Sequence, residues 1–185
     1  INGVSSGVGV ASFQMGKVLG AKVIGTSGSQ TKLNQLKPLG LDLGICSRSA
    51  DFYATVMSTT EGKGVQLVVN TVGGSVFEES FKCLSFQGRL GTVGYVDGVL
   101  HAPLDIEALH AKRLTLFGVS NKMRSPDQRA EPVLGFIKDI LPSFADGRIR
   151  PCLDSVFEFK DLEAAKARME SNAHVGKIVL KVISS

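Results

Sequence analysis

The 185-residue sequence contains no Trp and only 2 Tyr, which leaves little with which to stack on unpaired bases. Its 3 Cys, at positions 46, 83 and 152, stand far apart and form no CxxC pair. Neither a zinc ribbon nor a disulfide framework is supported, and a reducing, cytoplasmic setting is expected. His101, His110 and His174 are equally scattered, so no metal site is expected. There is no run of five basic residues, although Lys and Arg outnumber Asp and Glu by 21 to 17. A surplus dispersed among acids reads as a mildly basic surface able to hold one anion; no nucleic-acid partner is expected. No apolar run approaches the roughly 20 residues of a membrane span, so no membrane partner is expected either. No secretory leader pattern, internal repeat or low-complexity stretch is visible.

Glycine, by contrast, is plentiful at 21 residues, and many follow directly on apolar, β-rich runs, where turns and close backbone approaches are made. The chain alternates two periodicities. Residues 8–19 carry Val8, Ala11, Met15 and Val18 at helical spacing, and residues 21–25 read as a buried strand. A helix is expected over 29–36, ended by Pro38 and Gly40, then a short strand near 43–45, a helix over 51–59 and a strand over 65–69. After the turn at Gly73 and Gly74 come a helix over 76–84 and strands over 89–93 and 114–119. A helix is expected over 131–144, with an apolar stripe of Val133, Phe136, Ile137, Ile140 and Leu141. Strands alternating with helices imply an α/β fold, a parallel sheet covered on both faces; right-handed crossovers then make it doubly wound.

After Gly147 the style changes. A strand-like pair at 156–157, a helix over 162–169 and an alternating strand over 177–183 do not extend the pattern. Two domains are expected, residues 1–147 and a piece of another over 148–185. Ile1, Asn2 and Gly3 read as the end of a strand, so an upstream continuation is expected.

The motif that carries chemistry is Gly3-Val4-Ser5-Ser6-Gly7-Val8-Gly9, between that strand and the first helix. A turn here sets free backbone N–H groups and the positive end of a helix against an anion. Small residues admit a pyrophosphate, and Gly9 permits close helix–strand packing. At the carboxyl ends of the later strands, where open α/β sheets bind ligands, lie Asn70, Val72 and Gly73, then Gly94 and Tyr95.

The turn, read as Gly3, Ser6 and Gly9, resembles the AxxGxxG variant of the medium-chain dehydrogenase/reductase superfamily, within it the quinone oxidoreductase (zeta-crystallin-like) branch. Residues 19–26, 28–33, 64–70, 88–94 and 172–180 are similar to successive segments of that family, in order. The resemblance implies a Rossmann domain holding NADPH, with hydride passing to a quinone or an α,β-unsaturated carbonyl without zinc. It implies that residues 148–185 return to a GroES-like catalytic domain mostly outside this chain. Val119 resembles the nicotinamide-side segment, and Asn172 and Lys177 resemble positions that reach the cofactor from the returning tail. It also implies a homodimer joined edge to edge at the sixth strand, 114–119. No residue reads as a catalytic acid. An enoyl reductase domain of a fatty acid or polyketide synthase and a non-enzymatic dinucleotide-binding module are the rival readings.

Cofactor choice is legible in the residues themselves. NAD-specific folds place Asp or Glu at the end of the second strand to hold the ribose hydroxyls. Here no acid stands there before Asp42. Ser27 and Ser29 offer hydroxyls to a 2′-phosphate, Lys32 a charge and Arg48 a fork of donors.

Overall fold

Residues 1–4 form the hinge of the architecture. In the computed structural model, which describes residues 1–182, this run is inserted between two groups of parallel strands. On one side, Thr26 N donates to Ile1 O at 2.9 Å and Val4 N to Thr26 O at 3.0 Å; on the other, Asn2 N donates to Val69 O at 3.0 Å. It thereby joins a pair of strands, β1 (Ile24–Ser27) and β2 (Leu43–Cys46), to a group of three, β3 (Val65–Asn70), β4 (Leu84–Thr92) and β5 (Thr115–Gly118). Every pairing is parallel, and the order β2-β1-(1–4)-β3-β4-β5 is that of a doubly wound sheet, as expected.

Helices cover both faces. On one lie α1 (Gly7–Val18) and α2 (Gln30–Leu36), which bury Val10, Phe13, Leu33 and Leu36 together with Val4 and Val23. On the other lie α3 (Tyr53–Thr59), α4 (Phe77–Lys82) and α5 (Ile106–Ala111). Val56 of α3 packs with Ile24 and Ile45, and Phe81 of α4 packs with Val68 and Leu90. Strand alternation explains the division: Ile45 faces α3 while its neighbour Gly44 lies under Leu33 of α2.

Several sequence expectations shift. The buried face of α1 is Gly9, Val10, Phe13 and Gln14, not the stripe through Val8, which is 45% exposed. This helix is apolar on two sides, and the close approach at Gly9 decides which side turns inward. The strand expected over 21–25 begins at Ile24, because Gly20 at φ +82 and the bond Ala21 N to Gly16 O extend the end of α1. β4 starts at Leu84, with Gln87 in the left-handed region at φ 58, so α4 is shorter than expected. The connection between β4 and β5, where no helix is expected from the sequence, contains α5, capped by Asp105 accepting from Ala108 N.

The helix expected over 131–144 is two helices. α6 (Pro126–Asp139) starts early because Ser125 and Gln128 form a capping box with Pro126 in the first turn; α7 is Pro142–Ala145. The stripe is largely exposed and only its Ile140 is buried. Beyond it, β6 (Leu153–Glu158) and β7 (Lys177–Lys181) form a separate parallel pair flanked by α8 (Leu162–Glu170). Ile183 of the expected last strand lies outside the described residues. This segment is anchored to the main sheet's core by Val175, which shares a cluster with Phe13 and Leu33. No helix among the described residues is long and apolar enough to cross a membrane.

Phe13 is fully enclosed in that shared cluster. Phe13→Ala is expected to destabilise the chain by about 3–5 kcal/mol, read as a lower urea midpoint with an unchanged slope.

Candidate functional site

The glycine turn is built by exclusion of side chains. A Cβ on Gly9 would strike Gly3 O and lie 2.7 Å from Val4 Cα. A Cβ on Gly3, whose φ is +67, would lie 2.7 Å from Thr71 Oγ1. These contacts let α1 close on the run beneath it and aim its first turn across the carboxyl ends of the strands. Ser6 caps the helix, accepting from Gly9 N at 3.0 Å, which leaves its O–H free to donate. The N–H groups of Gly7 and Val8 find no acceptor among the described residues. Two orphan amides, a hydroxyl and the helix dipole make a cradle for an anion.

The returning C-terminal segment closes this cradle. Gly176 N donates to Ser5 O at 3.0 Å, and Lys177 lies across Gly7, its Nζ 2.6 Å from where a Cβ would stand. Gly7 is therefore small for the sake of Lys177 as much as for a ligand. Next to this crossing, His174 Nδ1 is buried with no hydrogen-bond partner among the described residues. Sequence reasoning gave His174 no role, and only its proximity to Lys177 in the family-like segment pointed to it.

The second cluster lies at the end of β1. Ser27, expected to offer its hydroxyl to a 2′-phosphate, is buried and pairs instead with the buried Ser5 hydroxyl at 3.1 Å. Ser29 caps α2 and keeps a free hydroxyl proton. Lys32 Nζ donates to the Asn172 carbonyl. Arg48 lies over Gly28, with Nε on Gly28 O at 2.9 Å. Burial draws the Lys32 ammonium below its ordinary value; Asp154 opposes this, while Arg168 and Arg48 add to it. Asp154 and Arg168, which act on Lys32 electrostatically, escaped sequence reasoning because that relation is purely tertiary.

At the carboxyl ends of β3, β4 and β5 the expected residues converge with a difference. Asn70 is 1% exposed and wholly engaged in its own turn: Oδ1 accepts from Val72 N and Gly73 N at 3.0 Å each, and Nδ2 donates to Gly73 O at 2.9 Å. It shapes the turn, where the expectation has its side chain toward the cofactor. Gly94, Tyr95, Gly118, Val119 and Ser120 line an open cavity of about 550 Å³. Tyr95 stands 65% exposed at its wall.

Anion cradle, cation cluster and strand-end cavity lie along one edge of a doubly wound sheet, the arrangement of the dehydrogenase/reductase class. The sequence model of the zinc-binding dehydrogenase family matches residues 7–139, and the chain belongs to that family, within the medium-chain dehydrogenase/reductase superfamily. Polyketide synthase 37 of Dictyostelium discoideum is 33% identical over 178 residues, 94% of this chain and 6% of that protein. A phenolphthiocerol/phthiocerol polyketide synthase of Mycobacterium tuberculosis is 31% identical over 182 residues, 98% of this chain and 8% of that protein. Among solved structures, AibC superposes with a TM-score of 0.82 at 28% identity, over 99% of this chain and 48% of its own. The CurK enoyl reductase does so with 0.77 at 25%, over 98% and 53%. The chain thus spans about half the length of these solved structures and under a tenth of these curated relatives. Although zinc gives the family its description, no group of three His, Cys, Asp or Glu side chains able to hold a metal gathers among the described residues.

The C-terminal segment is braced by Asp154. The Arg168 fork, ahead of hydrogen bonds from Val175 N and Ser155, holds its carboxyl down at about 2. A carboxyl lower in the folded than in the unfolded state stabilises fully above its unfolded value, near 4, and loses that contribution as pH falls toward 2. Urea unfolding at stepped pH is expected to show this loss, and Asp154→Asn is expected to flatten the decline between about pH 4 and 2.

Proposed function

We propose that the chain binds NADPH along this edge and presents it for reduction of an α,β-unsaturated carbonyl, with an enoyl thioester of a polyketide-type synthase as the substrate. The observation that carries the reading is the pairing of unpaired helix-terminal amides at Gly7 and Val8 with the cluster of Ser29, Lys32 and Arg48 at the end of β1, a strand with no acid at its carboxyl end. The first suits a diphosphate, the second a 2′-phosphate. Bound NADPH would supply the hydride. The chain's residues bind and orient: Lys177 neutralises the diphosphate beside Gly7, and the backbone at Gly73, Gly94 and Val119 borders the nicotinamide end. Tyr95 and Ser120 bound the strand-end cavity where the acceptor would enter.

The synthase assignment is supported by the polyketide synthase relatives, which match nearly the whole chain. A quinone acceptor, expected from the resemblance, is the competing reading. Residues 148–185 would belong to a GroES-like domain that completes the cleft and excludes water, so the 185 residues alone are expected to bind cofactor with little turnover. A dimer is proposed through β5, whose outer edge is apolar and uncharged; sedimentation at high protein concentration should return twice the monomer mass, and a strictly monomeric mass opposes it.

Calorimetric titration tests the cofactor reading. NADPH is expected to bind more tightly than NADH, and Lys32→Ala to weaken NADPH by about 1–3 kcal/mol while leaving NADH nearly unchanged. Equal affinities for the two cofactors contradict the reading. For the acceptor, the chain joined to its flanking catalytic domain should oxidise NADPH with a crotonyl thioester faster than with a simple quinone; the reverse order favours the quinone reading.

A further inference from the structure

We infer that Arg168, oriented by Asp154, is a third cationic reader of the cofactor's 2′-phosphate, contributed by the C-terminal segment. The inference rests on the NADPH reading above and adds a specificity-determining residue to it. Arg168 sits in the last turn of α8. Its Nε and Nη2 grip the Asp154 carboxylate at 2.9 Å each, a two-point fork that fixes the plane of the guanidinium. Asp154 is itself immobilised: its side chain is 8% exposed and also accepts from Val175 N at 3.1 Å and from the Ser155 hydroxyl at 3.0 Å. The Arg168 side chain is 38% exposed, and its Nη1 finds no acceptor among the described residues. A buried carboxylate thus points a half-open guanidinium outward with one edge unoccupied.

The location is set by Asn172. Its N–H bonds Met169 O at 3.1 Å, which makes it the first residue beyond the cap of α8. Its carbonyl receives Lys32 Nζ from α2. The loop one turn past Arg168 therefore touches the cation that opens the 2′-phosphate cluster, and Lys32 registers the charges of both Arg168 and Arg48. Lys32, Arg48 and Arg168 against the one carboxylate of Asp154 leave a surplus of about two positive charges, which matches the roughly −1.5 to −2 carried by a phosphate monoester at neutral pH. If Arg168 were only a staple between α8 and β6, it would respond to either dinucleotide alike.

Titrations with NADPH, NADH and 2′,5′-ADP separate these roles. Arg168→Gln is expected to weaken NADPH and 2′,5′-ADP about tenfold and to leave NADH within about twofold. Arg168→Lys keeps a charge opposite Asp154 but loses the fork, so it should fold like the parent and still lower the NADPH-to-NADH affinity ratio by about threefold. NADPH and NADH affinities that fall together, or that both stay unchanged in Arg168→Lys, overturn the inference and leave Arg168 a staple. Failure of the underlying reading looks different: the unmutated chain then binds neither dinucleotide, and the inference falls with it.

Discussion

The approach of helix α1 to the run beneath it at Gly9 governs the rest of the structure. No side chain fits between Gly9 and the backbone of Gly3 and Val4, and Val4 is in turn pressed against Gly25 of β1, where a Cβ would lie 2.6 Å from its side chain. The α1 backbone is thereby pressed onto that of the run 3–4, and the Val4 side chain onto the backbone of β1. The consequence for folding is that Val10 and Phe13 turn into the core and Val8 turns out. The consequence for chemistry is that the first turn of α1, with its unpaired amides, is held at the ends of the strands and not above their middle.

A positive helix end is only half of the proposed dinucleotide site, and the other half comes from far along the chain. Gly176 meets Ser5, Lys177 crosses Gly7, and Asn172 meets Lys32. One stretch of six residues thus runs from the second cluster to the first, braced behind by Asp154 and anchored by Val175 in the same core as Phe13. Because that stretch is packed and not merely tethered, both charge clusters are preorganised before any ligand arrives. Bringing Lys177 near the positive end of α1 is electrostatically unfavourable in isolation, and packing of Val175 and Gly176 outweighs it. An anion between them converts the repulsion to attraction.

Much of this is legible in the sequence because it depends on local rules. The glycine turn, the alternation of strands and helices, and the missing acid after β1 each follow from spacing and residue type. What cannot be read depends on tertiary choice. Both sides of α1 are apolar, so periodicity does not say that Phe13 and not Val8 is buried. Ser27 looks available to a phosphate because nothing local reveals Ser5 as its partner. Asn70 looks like a ligand contact, yet the turn at Gly73 consumes both its polar atoms. The six-residue α5 is too short to leave a periodic signal. Arg168 and Asp154 lie 14 positions apart on a helix and a strand, a pairing that no spacing rule announces.

If the first turn of α1 and the returning Lys177 together hold the cofactor's diphosphate, both must sense its arrival at once. Backbone amide NMR of the uniformly ¹⁵N-labelled chain during NADPH addition observes this at each residue. The Gly7, Val8 and Lys177 amides are expected to move furthest and to saturate together, since a charged acceptor replaces water at two of them and seats the third. NADPH binding that saturates while those three resonances stay in place would place the diphosphate elsewhere and refute the cradle.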